Sequence, residues 1–242
     1  MTLNGAELGI WWIIPFVGLL LSIALLPLKY GEFWDRHLGK VSAFWGLCIV
    51  IPMLLFAGVQ ATVHEVLDIY LIEYLPFIIL LLALFAISGG VRITGSLKGT
   101  PASNAVMLLI ATALASWMGT TGAAMLMIRP VLRANAGRTR KVHTLVFFIF
   151  LVCNVGGALS PLGDPPLFLG FLQGVDFFWT TIHLWWETLF VVAVLTTLYY
   201  LWDTLLYKKE AKATSNDEQE PIGIKGKFNL VLLAGVVGFV LF

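Results

Sequence analysis

In this chain of 242 residues, apolar side chains make up 59%, charged ones only 12%, and the net charge is +1. A soluble domain carries about 25% charged residues, so with a mean hydropathy of +0.91 the composition excludes a water-soluble fold and leaves an all-α polytopic membrane protein. The balanced charge names no partner beyond the lipid bilayer, and no nucleic-acid partner is expected.

Apolar runs occur at about 9–28, 41–60, 69–90, 103–128, 143–172 and 181–206, with a shorter one at 229–242. The first is about the length of a bilayer span, which needs roughly 17–25 residues. It carries Trp11 and Trp12 near its start, as the last long run carries Trp185 and Trp186, in the manner of interfacial anchors. Nothing basic precedes the first run, so a span is expected there rather than a cleavable signal. Cys48 and Cys153 fall inside apolar runs and read as small packing residues, not as a disulfide or a metal site. Residues 207–228 read as a solvated linker without a core of its own. The 14 residues of 229–242 are short for a span and read as the start of a second, truncated repeat.

Orientation is read from lysine and arginine. A loop at 29–40 carries Lys29, Arg36 and Lys40, whereas 61–68 carries Glu65 and Asp68 and no lysine or arginine. The N-terminus is therefore expected outside and the first loop in the cytoplasm. If 103–128 spans, Arg129, Arg133, Arg138, Arg140, Lys141 and the five lysines of the linker fall outside, 10 of the 15 basic residues. If it enters and leaves from the cytoplasm, all 15 fall inside. Gly119-Thr120-Thr121-Gly122 divides the run into two arms, so 103–134 is expected to be a re-entrant hairpin with its tip there. The expected plan is five spanning helices plus that hairpin, residues 1–206 forming one repeat. An odd number of crossings would invert a following copy, a common secondary-transporter plan.

The stretch Asn154 to Pro166 interrupts the fifth run with Gly156, Gly157, Pro161, Pro165, Pro166 and the carboxylate of Asp164. Broken backbone persists at membrane depth only where protein buries it or it lines a watery cavity, and a carboxylate there points to function. The first half of this broken helix would end near Asn154, exposing carbonyl oxygens at a negative dipole end. Asp164 precedes two prolines, the pattern of an N-cap with proline in the first turn. It can cap the second half-helix, bind an ion or proton, or do both. At the hairpin tip, Thr120 and Thr121 are expected to cap an arm beginning near Gly122, with free N–H groups making a positive end. Glu73 and Glu187 read as interfacial. Arg129 and Arg133 should snorkel to the surface, and His64, His143 and His183, at span ends, are expected to do no chemistry.

The pair Gly119-Thr-Thr-Gly-Ala-Ala-Met125 and Asn154-Val-Gly-Gly157 through Ser160-Pro-Leu-Gly-Asp-Pro-Pro166 resembles the ion-transporter superfamily. That group includes divalent-anion/sodium symporters, arsenite pumps, citrate–metal carriers and NhaD-type sodium/proton antiporters. The resemblance implies a hairpin tip and a helix break that line one central site, and it leaves room for a homodimer. The anion symporters resemble Thr-Pro-Ile-Gly-Thr-Pro-Pro at the break, so Asp164 stands where they have a neutral threonine. An ionised carboxylate would repel citrate or succinate but suits a cation that competes with protons. Gly119 to Pro130 and Asp164 to Gly170 look most like sequences grouped with the sodium/proton antiporters.

The resulting expectation is a secondary transporter, not an enzyme, exchanging sodium for protons in a bacterial inner membrane. Its site comprises Thr120, Thr121, Asn154, Gly156, Gly157, Ser160 and Asp164, with Asn154 and Asp164 as sodium ligands and no resident cofactor beside the transported ions Na+ and H+. The alternative is a citrate or dicarboxylate carrier coupled to sodium or a divalent metal. A membrane hydrolase would need a second acid or a nucleophile–base pair that the pattern does not offer.

Overall fold

The computed structural model describes residues 9–95, 98–210 and 223–241. It is an all-α membrane protein: among the described residues, five helical runs are long and apolar enough to cross a bilayer, namely Ile10–Lys29, Gly31–Phe56, Val59–Gly89, Pro101–Met118 and Trp179–Lys209. The chain divides into two compact units, residues 1–74 and 75–242.

In the first unit a 3-10 turn, Ile10–Ile13, leads into α1 (Ile14–Lys29), which packs along α2 (Gly31–Phe56). Trp45 of α2 donates its indole N–H to Ser22 Oγ of α1 at 3.0 Å. The apolar side chains of both helices are mostly exposed, as helices apolar all round require when lipid is the solvent. Two expected loops are corrected here. Residues 31–40 are the first turns of α2, and only Tyr30 separates the two helices. Residues 61–68 belong to α3 (Val59–Asp68), which follows Gly58 and ends in a π-helical turn, Ile69–Tyr74. Charged side chains interrupt apolar periodicity without interrupting a helix, and His64 and Asp68, one turn apart, pair at 2.9 Å.

The second unit begins with α4 (Leu75–Gly89) and strand β1 (Arg92–Thr94). The helices α5 (Pro101–Met118) and α6 (Thr120–Ala134) pack against each other as a hairpin. The fifth apolar run, expected as the fourth span and broken, is two helices, α7 (Val142–Leu151) and α8 (Pro165–Leu172), with irregular backbone between. The long α9 (Trp179–Lys209) packs on α5 and α7. The core lies between α5, α6, α7 and α9, centred on Leu108, Ala111, Ala115, Met118, Leu151 and Tyr199.

The expected linker is corrected at both ends, and its middle, 211–222, lies outside the described residues. Residues 207–209 continue α9, and Glu210 bonds back onto the loop after α6. At the far end β2 (Gly223–Lys225) pairs antiparallel with β1, and α10 (Lys227–Leu241) packs on α4. Glu210 at one end is held by side-chain bonds and Gly223–Lys225 at the other by strand pairing, so neither end is free chain.

Candidate functional site

α5 stops at Met118 because Gly119 adopts φ 78°, a conformation that L side chains rarely take. α6 begins at once. Thr120 and Thr121 are its first two residues, two positions earlier than expected, and neither side chain caps it. Instead the Thr120 N–H donates to the Gly163 carbonyl at 3.1 Å. The next N–H groups, of Thr121 and Gly122, have no carbonyl to bond within the helix.

In the break, Val155–Gly157 form one 3-10 turn and the chain folds back on itself. Gly157 and Gly163 meet so closely that a Cβ on Gly163 would lie 2.2 Å from the Gly157 carbonyl oxygen. A Cβ on Gly157 would lie 2.8 Å from the Thr120 methyl group. The glycines thus let the break seat directly on the hairpin tip.

Asp164 stands at the N-cap of α8, but its carboxylate makes no capping bond. The physical reason lies in the next two residues. Pro165 and Pro166 have no N–H to offer, so two of the usual donors are missing. The first helical bonds go to the Asp164 backbone carbonyl, from Leu167 at 3.1 Å and Phe168 at 3.3 Å. The half-buried carboxylate has no hydrogen bond or ion pair among the described residues.

Thr120, Thr121 and Asp164 all line one cavity of about 370 Å³. Its other walls are apolar, with Leu80 and Leu84 of α4 and Phe168 of α8, and among the described residues no lysine or arginine lines it. The remaining expected site residues lie elsewhere. Gly156 and Ser160 line a second cavity of about 350 Å³, with Thr112 and Ser116 of α5 and Thr181 and Thr188 of α9. There Ser116 donates to the Gly156 carbonyl at 2.6 Å, and Ser160 donates to the Ser116 carbonyl. Asn154 lines neither cavity; its amide donates to the Ile149 carbonyl at 2.8 Å. Asn154 and Asp164 are therefore not brought together. The donors available around Asp164 are oxygens, the set that suits hard cations. No group of three or more His, Cys, Asp or Glu side chains that could hold a metal occurs among the described residues.

A buried polar network at the open end of the hairpin was not foreseen. Asp203 of α9, wholly buried, is the hub. It pairs with Arg138 at 2.6 Å and accepts from His143 Nε2 at 2.8 Å, Asn104 at 3.2 Å and the Tyr199 hydroxyl at 3.1 Å. With its proton on Asp203, Tyr199 accepts from Thr144 at 3.1 Å. Asn104, in the first turns of α5, and Asn135, just after α6, exchange amide hydrogen bonds at 2.9 and 2.8 Å. His143, for which no chemistry was expected, is thus a structural partner of Asp203. Outside the spans, Arg138 also pairs with Glu210 at 3.1 Å. Desolvation disfavours its charge, but the carboxylates of Asp203 and Glu210 outweigh it and hold the guanidinium more firmly protonated than usual. Desolvation likewise works against Glu210, yet the Arg140 N–H and the Arg138 guanidinium keep its carboxyl below the usual range. These residues are scattered from 104 to 210, and no local spacing announces them.

A family model described as "Putative citrate transport" matches residues 5–242. No curated protein and no solved structure was found to match. With nearly the whole chain matched, and a helix break seated on a hairpin tip around a cavity, this protein belongs to that transport family.

Proposed function

We propose that the chain carries the cation site of a secondary sodium/proton antiporter, with Asp164 as the group that exchanges the two ions. The observation that carries this reading is the Asp164 carboxylate, free of protein donors, in a cavity with Thr120 and Thr121 and without a basic residue. An ionised carboxylate in such a place needs a positive partner. A proton or a sodium ion supplies it, and the two compete for the same oxygens. Exchange then follows: Asp164 releases H+ to one side, Na+ takes its place, and the hairpin tip and helix break rearrange to open the other side. In this reading 103–134 enters and leaves the membrane from the cytoplasm, the side where the positive-inside rule collects its arginines.

Two observations favour a second reading, a citrate or dicarboxylate carrier coupled to sodium or a divalent metal. The family description names citrate, and the free N-terminus of α6 offers a positive dipole end to a carboxylate. A bound cation on Asp164 would offset the repulsion between Asp164 and such a cargo.

Proteoliposomes given an inward sodium gradient and a trapped pH dye test the first reading. Wild-type protein should move protons against sodium, and Asp164→Asn should lose at least about tenfold of that rate while keeping its melting temperature. Wild-type exchange by Asp164→Asn removes Asp164 from the mechanism. Metal-dependent uptake of radiolabelled citrate, without sodium-driven pH change, selects the second reading.

A further inference from the structure

A cavity of about 700 Å³ lies between the end of α4, α6 and the β1–β2 ribbon, apart from the Asp164 site. Arg92, Arg129, Arg133 and Lys225 line it, and no acidic residue among the described residues does. All four are exposed, and the ion pairs formed among the described residues use none of them. Arg133 is held in place by a bond to the Ile93 carbonyl at 2.5 Å. Arg92 and Lys225 are direct partners in the ribbon register, an arrangement of like charges that weakens a strand pair. A ribbon three residues long has few bonds with which to offset that repulsion. An anion between the two side chains turns the repulsion into attraction. Deeper in the wall, Ser88 is wholly buried, and its hydroxyl has no hydrogen-bond partner among the described residues.

The rest of the lining decides the chemistry of the anion. Met125 and Leu132 of α6, with Val91, present an apolar wall beside the cations. A fully hydrated ion such as phosphate or citrate gains nothing from that wall, and the cavity has the size of pockets that hold much larger ligands, about 300–1,000 Å³. A ligand with a charged head and an apolar tail satisfies both surfaces. Basic pockets between membrane helices are suited to acidic lipid headgroups. We infer that Arg92, Arg129, Arg133 and Lys225 form a binding site for the phosphate headgroup of an acidic phospholipid, whose acyl chain lies along α6 and which clamps the β1–β2 ribbon.

Native mass spectrometry of the detergent-purified protein with added phosphatidylglycerol or phosphatidylcholine tests this. Arg129→Gln combined with Lys225→Gln is the variant of choice, because it leaves the Arg133 anchor to Ile93 intact. The wild type should retain phosphatidylglycerol at least fivefold over phosphatidylcholine, and the double variant should lose that preference with an unchanged melting temperature in lipid-free detergent. Equal retention of the two lipids by the wild type overturns the proposal, and so does a preference that survives the double substitution. Inorganic phosphate and citrate, each at millimolar concentration, form the remaining arms. Displacement of phosphatidylglycerol by phosphate reassigns the cavity to free anions, and displacement by citrate alone reassigns it to the cargo path; either outcome overturns the lipid assignment. No arm depends on sodium/proton exchange, so the result is independent of the role given to Asp164.

Discussion

The backbone N–H of Thr120 donates to the carbonyl of Gly163 at 3.1 Å, joining the first residue of α6 to the last turn before Asp164. This bond, with those that Ser116 and Ser160 make beside it, sets the hairpin tip against the helix break and the threonine hydroxyls near the carboxylate. The geometry holds only while Gly157 and Gly163 lack side chains, because a Cβ on Gly163 would strike the Gly157 carbonyl at 2.2 Å. Gly163→Ala should therefore destabilise the protein by about 1–3 kcal/mol and lower sodium-driven exchange with it. Gly170→Ala is the control, since its Cβ would meet the nearest atom at an ordinary 3.9 Å. A melting curve in detergent separates the two.

The threonines can be tested without disturbing that seat. Thr120→Val keeps the methyl group that faces Gly157 and removes only the hydroxyl. If the hydroxyls of Thr120 and Thr121 complete the cation's oxygen shell, each valine variant should raise the half-saturating sodium concentration about two- to tenfold, the equivalent of one hydrogen-bond-sized interaction of about 0.5–1.5 kcal/mol. Initial rates over a sodium titration give the answer. An unchanged sodium dependence in both variants would take the hairpin tip out of the site.

At the other end of the hairpin, Asp203 holds four partners in a fully buried setting. Replacing one member of a buried ion pair strands the other and costs about 3–5 kcal/mol. Asp203→Asn should lower the melting temperature far more than Asp164→Asn, although Asp203 lies in no cavity near the proposed ion site. Thermal unfolding of the two variants side by side checks this order.

Glu210 makes the same junction sensitive to acid. Its folded carboxyl lies below the ordinary 4.5 because Arg140 and Arg138 hold the ionised form. Its contribution is complete above pH 4.5 and is lost as pH falls through the lowered folded value. Wild-type stability should decline across that acid window more steeply than that of Glu210→Gln, and the two should differ by a constant amount above it. Melting temperatures from pH 3 to 7 measure the difference.

Much of the fold is legible in the sequence. Composition decided the membrane class, Gly119 marked the end of α5, and the glycines and prolines of 154–166 marked the broken helix. Breaks are local, and the residues that make them are the ones that cannot continue a helix. Two kinds of feature stayed hidden. The helical state of 31–40 and 61–68 was obscured because charge interrupts an apolar run without interrupting a helix. The Asp203 network was invisible because its members, from Asn104 to Glu210, meet only through tertiary packing. Asp164 shows a third limit. The sequence motif announced an N-cap, yet the two prolines that complete the motif also remove the donors a capping carboxylate would use.

The two ends of the hairpin differ sharply in what it takes to part them. Its base is locked to α7 and α9 by an arginine, a histidine, two asparagines and a buried aspartate. Its tip is held to the break by neutral hydrogen bonds, one from the Thr120 N–H and two through Ser116 and Ser160, and by shape. Opening the tip forfeits about 0.5–1.5 kcal/mol for each of these neutral bonds, whereas parting the base also strands buried charges, at about 3–5 kcal/mol. Thermal agitation will separate the tip more often than the base. The hairpin is in this sense a lever, with its fulcrum at Arg138 and Asp203 and its free end at Thr120.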